Sequence, residues 1–497
     1  MSRLSTNGRS EWRSLSRSIA AETPRRRIVL PCLELTEVTD FQHSKEVILP
    51  LGKKSDYPYF AQPLIGNFGE HDGEQALRLN RVPVVLSKDG SPWAEANVYL
   101  LSSRIEGAVR TMGTYWNRAD DLAAFRQFLD EEKLDWRHFP QNKLSRVTYR
   151  FNAHLRISVQ AGSAATTARR RMISVIYFYK WLQEEGVFSP EHAAWKESER
   201  LVGYSGVDGQ RILKRTTTTD LSIKVPPSTD PYAGTIDDGG KLRPLSEQEQ
   251  VWLTEALERI GNTEMSLVHL LALTTGARMQ TALTLRVSHA LIEVQDSSQQ
   301  EVRIAVGPGT GIDTKRDKPG VLHIPVWLQH KLRVYALSER ARHRRHFANG
   351  GDTAHQYLFL SVRGAPLYLS KEDASQYDPR NAARHMRAGQ AVRQFITERV
   401  IPEVRGSASA GFHYRFHDLR ATFGMNLTDQ HLVFVARGEA KLHHVRELVK
   451  VRMGHASAAT TDRYLQYRSS QHLVRQIGVD YHKHLRQLSD AISGELP

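Results

Sequence analysis

One cysteine, Cys32, stands among 497 residues. That single thiol excludes an intramolecular disulfide framework and any zinc site built on clustered cysteines, and it fits a reducing compartment. A metal would have to be held by His and carboxylate side chains. Long apolar runs are missing too. The nearest, Ser266 to Ala277, is short and holds polar residues, whereas a membrane span needs roughly 18 uninterrupted apolar residues; the chain therefore reads as soluble, with no membrane partner. Common enzyme signatures are absent: there is no Gly-x-x-x-x-Gly-Lys-Ser/Thr loop, no His-Glu-x-x-His and no Gly-x-Ser-x-Gly elbow. Gly307-Pro308-Gly309-Thr310-Gly311 lacks the lysine and helix of a phosphate cradle and predicts a loop between strands. Acid is in deficit, with Lys+Arg 68 against Asp+Glu 54 leaving +14 when histidine is neutral. That balance points to a polyanionic partner, nucleic acid first.

Length predicts two to four domains at about 100 to 200 residues each. Residues 1–27 are rich in Ser and Arg and read as a flexible basic arm. Residues 28–102 alternate short β-favouring runs with turn chemistry, and Asp89-Gly90 predicts a hairpin, so this is a small, partly β region of no assigned role. From 103 to 202 the pattern turns helical. Leu122, Phe125, Phe128 and Leu129 make one apolar face, Ser163 reads as an N-cap, and Met172, Val175, Ile176, Tyr179 and Leu182 continue at helical spacing behind Arg169, Arg170 and Arg171. A helical bundle with a basic rim is the expectation. Residues 203–240, rich in Thr, Ser, Pro, Gly and Asp without sustained period, predict a linker. Ser246 with Glu249 predicts a capping box that opens a helix through about Ile260 and a further domain over 241–480. A tail, 481–497, follows; the stretch Leu473, Ile477, Tyr481, Leu485, Leu488 and Ile492 is apolar at roughly helical spacing.

The chemistry-bearing residues fall in the second half. Arg278 follows a glycine break in Leu273-Thr274-Thr275-Gly276-Ala277-Arg278, a helix-turn-helix-like passage. Lys315 and Lys318 lie in a turn leading into the β-like Val321 to Pro325. His417 and Arg420, at i and i+3, share a helical face and can converge on one anion. Met453-Gly454-His455 is a second break, after which Ser457 caps a short helix presenting Tyr464. Each alone is an ordinary surface or packing pattern, and their order carries the reading. Arg344 and Arg345, with Arg340, Arg342, His343 and His346, either track phosphates or form a solvated helix face.

Arg278, Lys315, His417-x-x-Arg420, His455 and Tyr464, in that order and with nine residues from His455 to Tyr464, resemble the fingerprint of the tyrosine recombinase or phage integrase family. The resemblance covers about residues 103–470. It implies a mainly α fold with small β-sheets: a helical, SAM-like core-binding domain and a mixed α/β catalytic domain, which together clamp duplex DNA. It further implies a site-specific recombinase of a mobile element that cuts and rejoins DNA through a 3′-phosphotyrosine. The assembly implied is a homotetramer on paired sites, in a bacterial cytoplasm, with no cofactor, metal or ATP. Arg278 and Arg420 would hold the phosphate oxygens, His417 act as base, Lys315 as acid, His455 as hydrogen-bond partner and Tyr464 as nucleophile; Arg169, Arg170, Arg171, Lys318, Arg344 and Arg345 would bind DNA. Thr281 stands where the family often has an acid, so that carboxylate's orienting role is missing or filled otherwise. Lys318 rivals Lys315, and the long interval from Arg278 to His417 implies an insertion within 340–412. A type IB-like topoisomerase shares the same chemistry, and a DNA-binding accessory protein with a decayed site is the third reading.

Overall fold

The computed structural model describes residues 26–40, 59–63, 65–67, 74–76, 78–105, 112–205, 211–225, 234–294, 298–371, 373 and 388–468, with 483 and 486. The architecture is mainly α with small antiparallel sheets. It divides into two compact units, residues 1–227 with 375–384, and residues 228–374 with 385–497. All of the expected tail except residues 483 and 486, and all but the last two residues of the expected arm, lie outside the described residues. Those two arm residues depart from the expectation. Arg26 is ion-paired with Asp130 at 3.3 Å and Arg27 with Asp120 at 2.5 Å, and Arg27 opens a strand.

In the first unit that strand, Arg27–Glu34, pairs antiparallel with Arg78–Val85, from Arg27 opposite Val85 to Glu34 opposite Arg78. The Asp89-Gly90 turn forms, with Gly90 at φ +84°, yet it leads into a helix, Ala94–Ile105, and not into a second strand. The side chain of Asn97 explains this: it accepts from Val85 N at 2.8 Å and donates to Val85 O at 3.0 Å, closing the strand end that a partner would need. The helices Ala94–Ile105, Met112–Glu131, Val147–Gln160 and Ala165–Glu184 enclose one aromatic core with Trp93, Tyr115, Phe125, Phe151, Phe178 and Tyr179 buried in it. The expected boundary at 102/103 therefore falls inside a helix that already belongs to this core. Ser163 is not the cap; Ala164 is, and the Ser163 hydroxyl pairs with that of Ser158 at 2.8 Å.

The stretch 203–240 contains elements where a linker is expected. Glu197–Ser205 and Arg211–Thr219 form a nine-pair antiparallel hairpin, favoured by the β-branched run Thr216 to Thr219, whose polarity hides its strand preference. Further on, Ile236–Asp237 pairs with Lys241–Leu242 in a minimal hairpin. This second hairpin belongs to the second unit.

There the capping box forms as read: Ser246 Oγ accepts from Glu249 N, Glu249 reaches back to Ser246 N, and the helix runs Glu247–Ile260. With Thr263–Thr275, the two-stranded sheet Glu301–Val306/Gly320–Pro325 and the helix Val326–Leu337, it builds a core around Val268, Leu271, Ile304, Ile324, Leu332 and Leu419. A smaller core gathers Ile236, Leu242, Phe423, Val449, Met453 and Tyr464. It draws on the minimal hairpin, on the helices Asp418–Ala436 and Leu442–Met453, and on a helical stretch described over 458–468.

Candidate active site

Three chain breaks set the site. The helix Thr263–Thr275 stops at Gly276, which is left-handed at φ +66°; a Cβ there would lie 2.6 Å from Phe423 Cδ1, so glycine is required twice over. Arg278 follows in extended conformation at the N-cap of Met279–Leu283, and its side chain leaves the break one quarter exposed. His417 occupies the N-cap of Asp418–Ala436, placing Arg420 in the first turn. The buried Asp418 carboxylate fixes that turn by accepting from Arg243 N at 3.0 Å and Arg415 N at 2.8 Å. His455 follows the Gly454 break at the end of Leu442–Met453, and Tyr464 projects from the next helix.

Arg278, Arg420, His455 and Tyr464 meet at a residue the sequence reading passed over, Asp238, in the turn of the minimal hairpin. Its Oδ2 accepts from Arg420 Nε at 2.8 Å, from His455 Nε2 at 3.3 Å and from Tyr464 Oη at 3.2 Å, while Arg278 Nη2 stands 3.8 Å from Oδ1. The carboxylate can only accept, which puts the imidazole proton on Nε2 and leaves Nδ1 to accept from Thr461 Oγ1 at 2.9 Å. Arg420 is further fixed by donating to Gly276 O at 2.8 Å and Met453 O at 2.6 Å. Lys315, at the solvent-facing edge, brings its ammonium against the same hairpin, where a Cβ on Gly239 (φ +70°) would lie 2.6 Å from Nζ. Lys318, its rival, donates instead to Gly454 O at 3.1 Å. The hydroxyl of Tyr467 reaches Gly234 O at 3.4 Å.

The electrostatics follow from this packing. Burial alone would raise the Asp238 carboxyl, but the His455 hydrogen bond and the Arg420 charge outweigh it and hold the group well below the usual carboxylate range. Tyr464 moves the other way. Burial, then the Asp238 charge, push its hydroxyl well above the ordinary tyrosine value. Arg278 falls to about 10 through burial and repulsion from Arg420, and stays cationic at neutral pH. Lys315 is lowered by burial and by Arg278, and His417 by burial and then Arg278, Arg420 and Lys315, although part of its ring faces solvent. Burial also lowers His455 against the pull of Asp238. Both histidines are therefore neutral at pH 7, beside two guanidiniums and an ammonium.

The expected DNA-facing residues separate. Arg169 is exposed and Arg171 half-buried, whereas Arg170 is engaged with the buried Asp121 at 2.9 Å. Arg344 and Arg345 do not fit a phosphate track or a solvated face. Both are buried: Arg344 holds Leu360 O at 2.6 Å and Glu264 at 3.1 Å, and Arg345 holds Asp352 at 2.5 Å and Ala336 O at 2.8 Å. Thr281, at the position where an acid was wanted, donates to Asp313 O at 2.8 Å. The need for a carboxylate was thus legible, but its address was not. Asp237-Asp238-Gly239-Gly240 reads locally as linker chemistry.

Residues 100–186 match the family model of the phage integrase N-terminal SAM-like domain. The helical bundle is similar to that SAM-like domain. This match bears out the resemblance to tyrosine recombinases drawn from the motifs, and it begins within Ala94–Ile105, whereas the core already takes in Val85 and Trp93. No curated protein matches the chain. Among solved structures, the chain is similar to the XerH site-specific recombinase bound to palindromic difH substrate (14% identity, 74% of this chain and 80% of that one, TM-score 0.43). It is similar also to the Tn1549 transposon integrase with transposon right end DNA (14% identity, 74% and 94%, TM-score 0.42) and to a lambda integrase dimer on a COC′ core site (13%, 75% and 94%, TM-score 0.41). Among the described residues no helix is long and apolar enough to cross a membrane.

Proposed function

We propose that the chain is a site-specific DNA recombinase or integrase that cuts and rejoins duplex DNA through a 3′-phosphotyrosine on Tyr464. The observation that carries this reading is the convergence of Arg278, Arg420, His455 and Tyr464 on one point, although they come from three separate chain breaks. Tyr464 Oη attacks phosphorus, the bond to the 5′ oxygen breaks, and the strand is held as an ester whose energy is kept for rejoining. The Tyr464 proton passes to neutral His417, and the leaving 5′ oxygen takes a proton from Lys315, whose lowered pKa suits an acid. Charge building on the non-bridging oxygens is met by Arg278 and by Arg420, whose plane is already fixed by two carbonyls, so little reorganisation is needed. His455 donates through Nε2. The SAM-like domain, with Arg169 and Arg171 on its rim, supplies DNA contacts. The assembly on paired sites is a homotetramer acting in the cytoplasm, serving a mobile element.

The test uses nicked duplexes built from short inverted repeats flanking the gene, with EDTA present. Wild type should form a covalent DNA adduct that maps to Tyr464. Tyr464→Phe should bind DNA with unchanged affinity and form none, while Tyr467→Phe still forms it. An adduct that persists in Tyr464→Phe would remove the assignment.

A further inference from the structure

Resting on that reading, we propose that Asp238 occupies the seat of the scissile phosphate, and that the hairpin Ile236–Leu242 is a strap which a DNA phosphodiester displaces. Every group the mechanism assigns to a phosphate oxygen or to phosphorus is already bound to this one carboxylate or stands against its hairpin. Arg420 Nε, His455 Nε2 and Tyr464 Oη converge on Oδ2 at 2.8, 3.3 and 3.2 Å, and Arg278 approaches Oδ1. Their accessibility makes displacement a requirement. Tyr464 is 0% exposed, Arg420 5%, His455 6% and Asp238 8%, so no phosphorus of a duplex can touch the Tyr464 hydroxyl while the strap is in place.

Charge favours exchange over simple opening. A phosphodiester carries one negative charge, as a carboxylate does, so one monoanion replaces another among Arg278, Arg420 and Lys315, and the site is never left with unopposed cations. The strap is also lightly held. Its strands are two residues each; outside the site, Asp237 O accepts from Arg463 and Lys241 O from Arg415. Ile236 and Leu242, buried in the smaller core, anchor its two ends. A role for Asp238 as the base toward Tyr464 is disfavoured, because its carboxyl is held far below the hydroxyl it would have to deprotonate.

The test needs no target sequence. Inorganic phosphate is titrated into the full chain by calorimetry. Asp238→Asn, with a melting temperature matching wild type, should bind at least tenfold more tightly, and Asp238→Asn/Arg278→Gln should lose the gain. Unchanged affinity in Asp238→Asn, or tightening that survives Arg278→Gln, overturns the proposal. If Asp238→Asn melts low, wild type decides: saturating phosphate should speed hydrogen exchange of the peptide spanning 234–245, and unchanged exchange sinks the strap. Adduct formation at Tyr464 without phosphate tightening removes only this inference, whereas tightening without an adduct removes only the recombinase reading.

Discussion

Arg420 and Arg278 have the same charge and different jobs, and the difference lies in their partners. Arg420 donates to a carboxylate and to two backbone carbonyls, all buried. Lysine can reach one of these acceptors, and each buried carbonyl left unmet costs about 1–3 kcal/mol. Arg278 has its described tie only to Asp238, at 3.8 Å. Arg420→Lys should therefore lose adduct formation and at least about 2 kcal/mol of unfolding free energy. Arg278→Lys should lose adduct formation with its denaturant midpoint nearly unchanged. Urea titration of both variants checks the contrast, and equal stability losses would contradict it.

At the scale of elements, the site depends on how closely the helix Asp418–Ala436 meets the helix carrying Tyr464. Gly424 is the contact: a Cβ there would lie 2.5 Å from Tyr464 Cε1 and 3.0 Å from Met453 Cε. Gly424→Ala should push the ring off its seat, cost about 1–3 kcal/mol through overpacking, and reduce the rate of adduct formation while DNA affinity holds, as gel-shift and suicide-substrate assays would read. Elements with local chemical signals were legible. The capping box at Ser246 and Glu249, the break at Gly276 and the break at Gly454 all depend on residues a few positions apart, and all formed as read. What was not legible depends on distant partners. Arg344 and Arg345 look like their neighbours Arg340 and Arg342 in sequence; their burial is decided by Glu264, Asp352 and two carbonyls that no spacing rule supplies. The strand Arg211–Thr219 was hidden because its threonines are polar as well as β-branched. Asp238 was hidden because Arg420, His455 and Tyr464 lie on the far side of the second unit's sequence.

For the whole molecule, a net charge of +14 predicts DNA affinity that falls steeply with salt, with a log–log slope of about −0.9 per phosphate neutralised. Which cations contribute is now separable. Arg169→Gln should flatten the slope by about one contact and leave the melting temperature alone. Arg344→Gln and Arg345→Gln should keep the slope and melt early, since each leaves buried partners unmet. Anisotropy titrations on any duplex from low to moderate salt measure the first, and thermal melts the second; a flattened slope in Arg345→Gln would return that residue to the DNA surface.

The distance along the chain between Asp238 and Tyr464 is 226 residues, and between Asp238 and Arg420 it is 182. At about 5–20 residues per second of synthesis, on the order of ten to forty seconds separate the appearance of the carboxylate from that of the hydroxyl it holds. During that interval a ribosome carries a chain whose helical bundle is already complete and whose Tyr464 does not yet exist. For a protein of the proposed activity this is a safeguard in time: a message broken anywhere between the two codons yields a product that can grip DNA but has nothing with which to cut it.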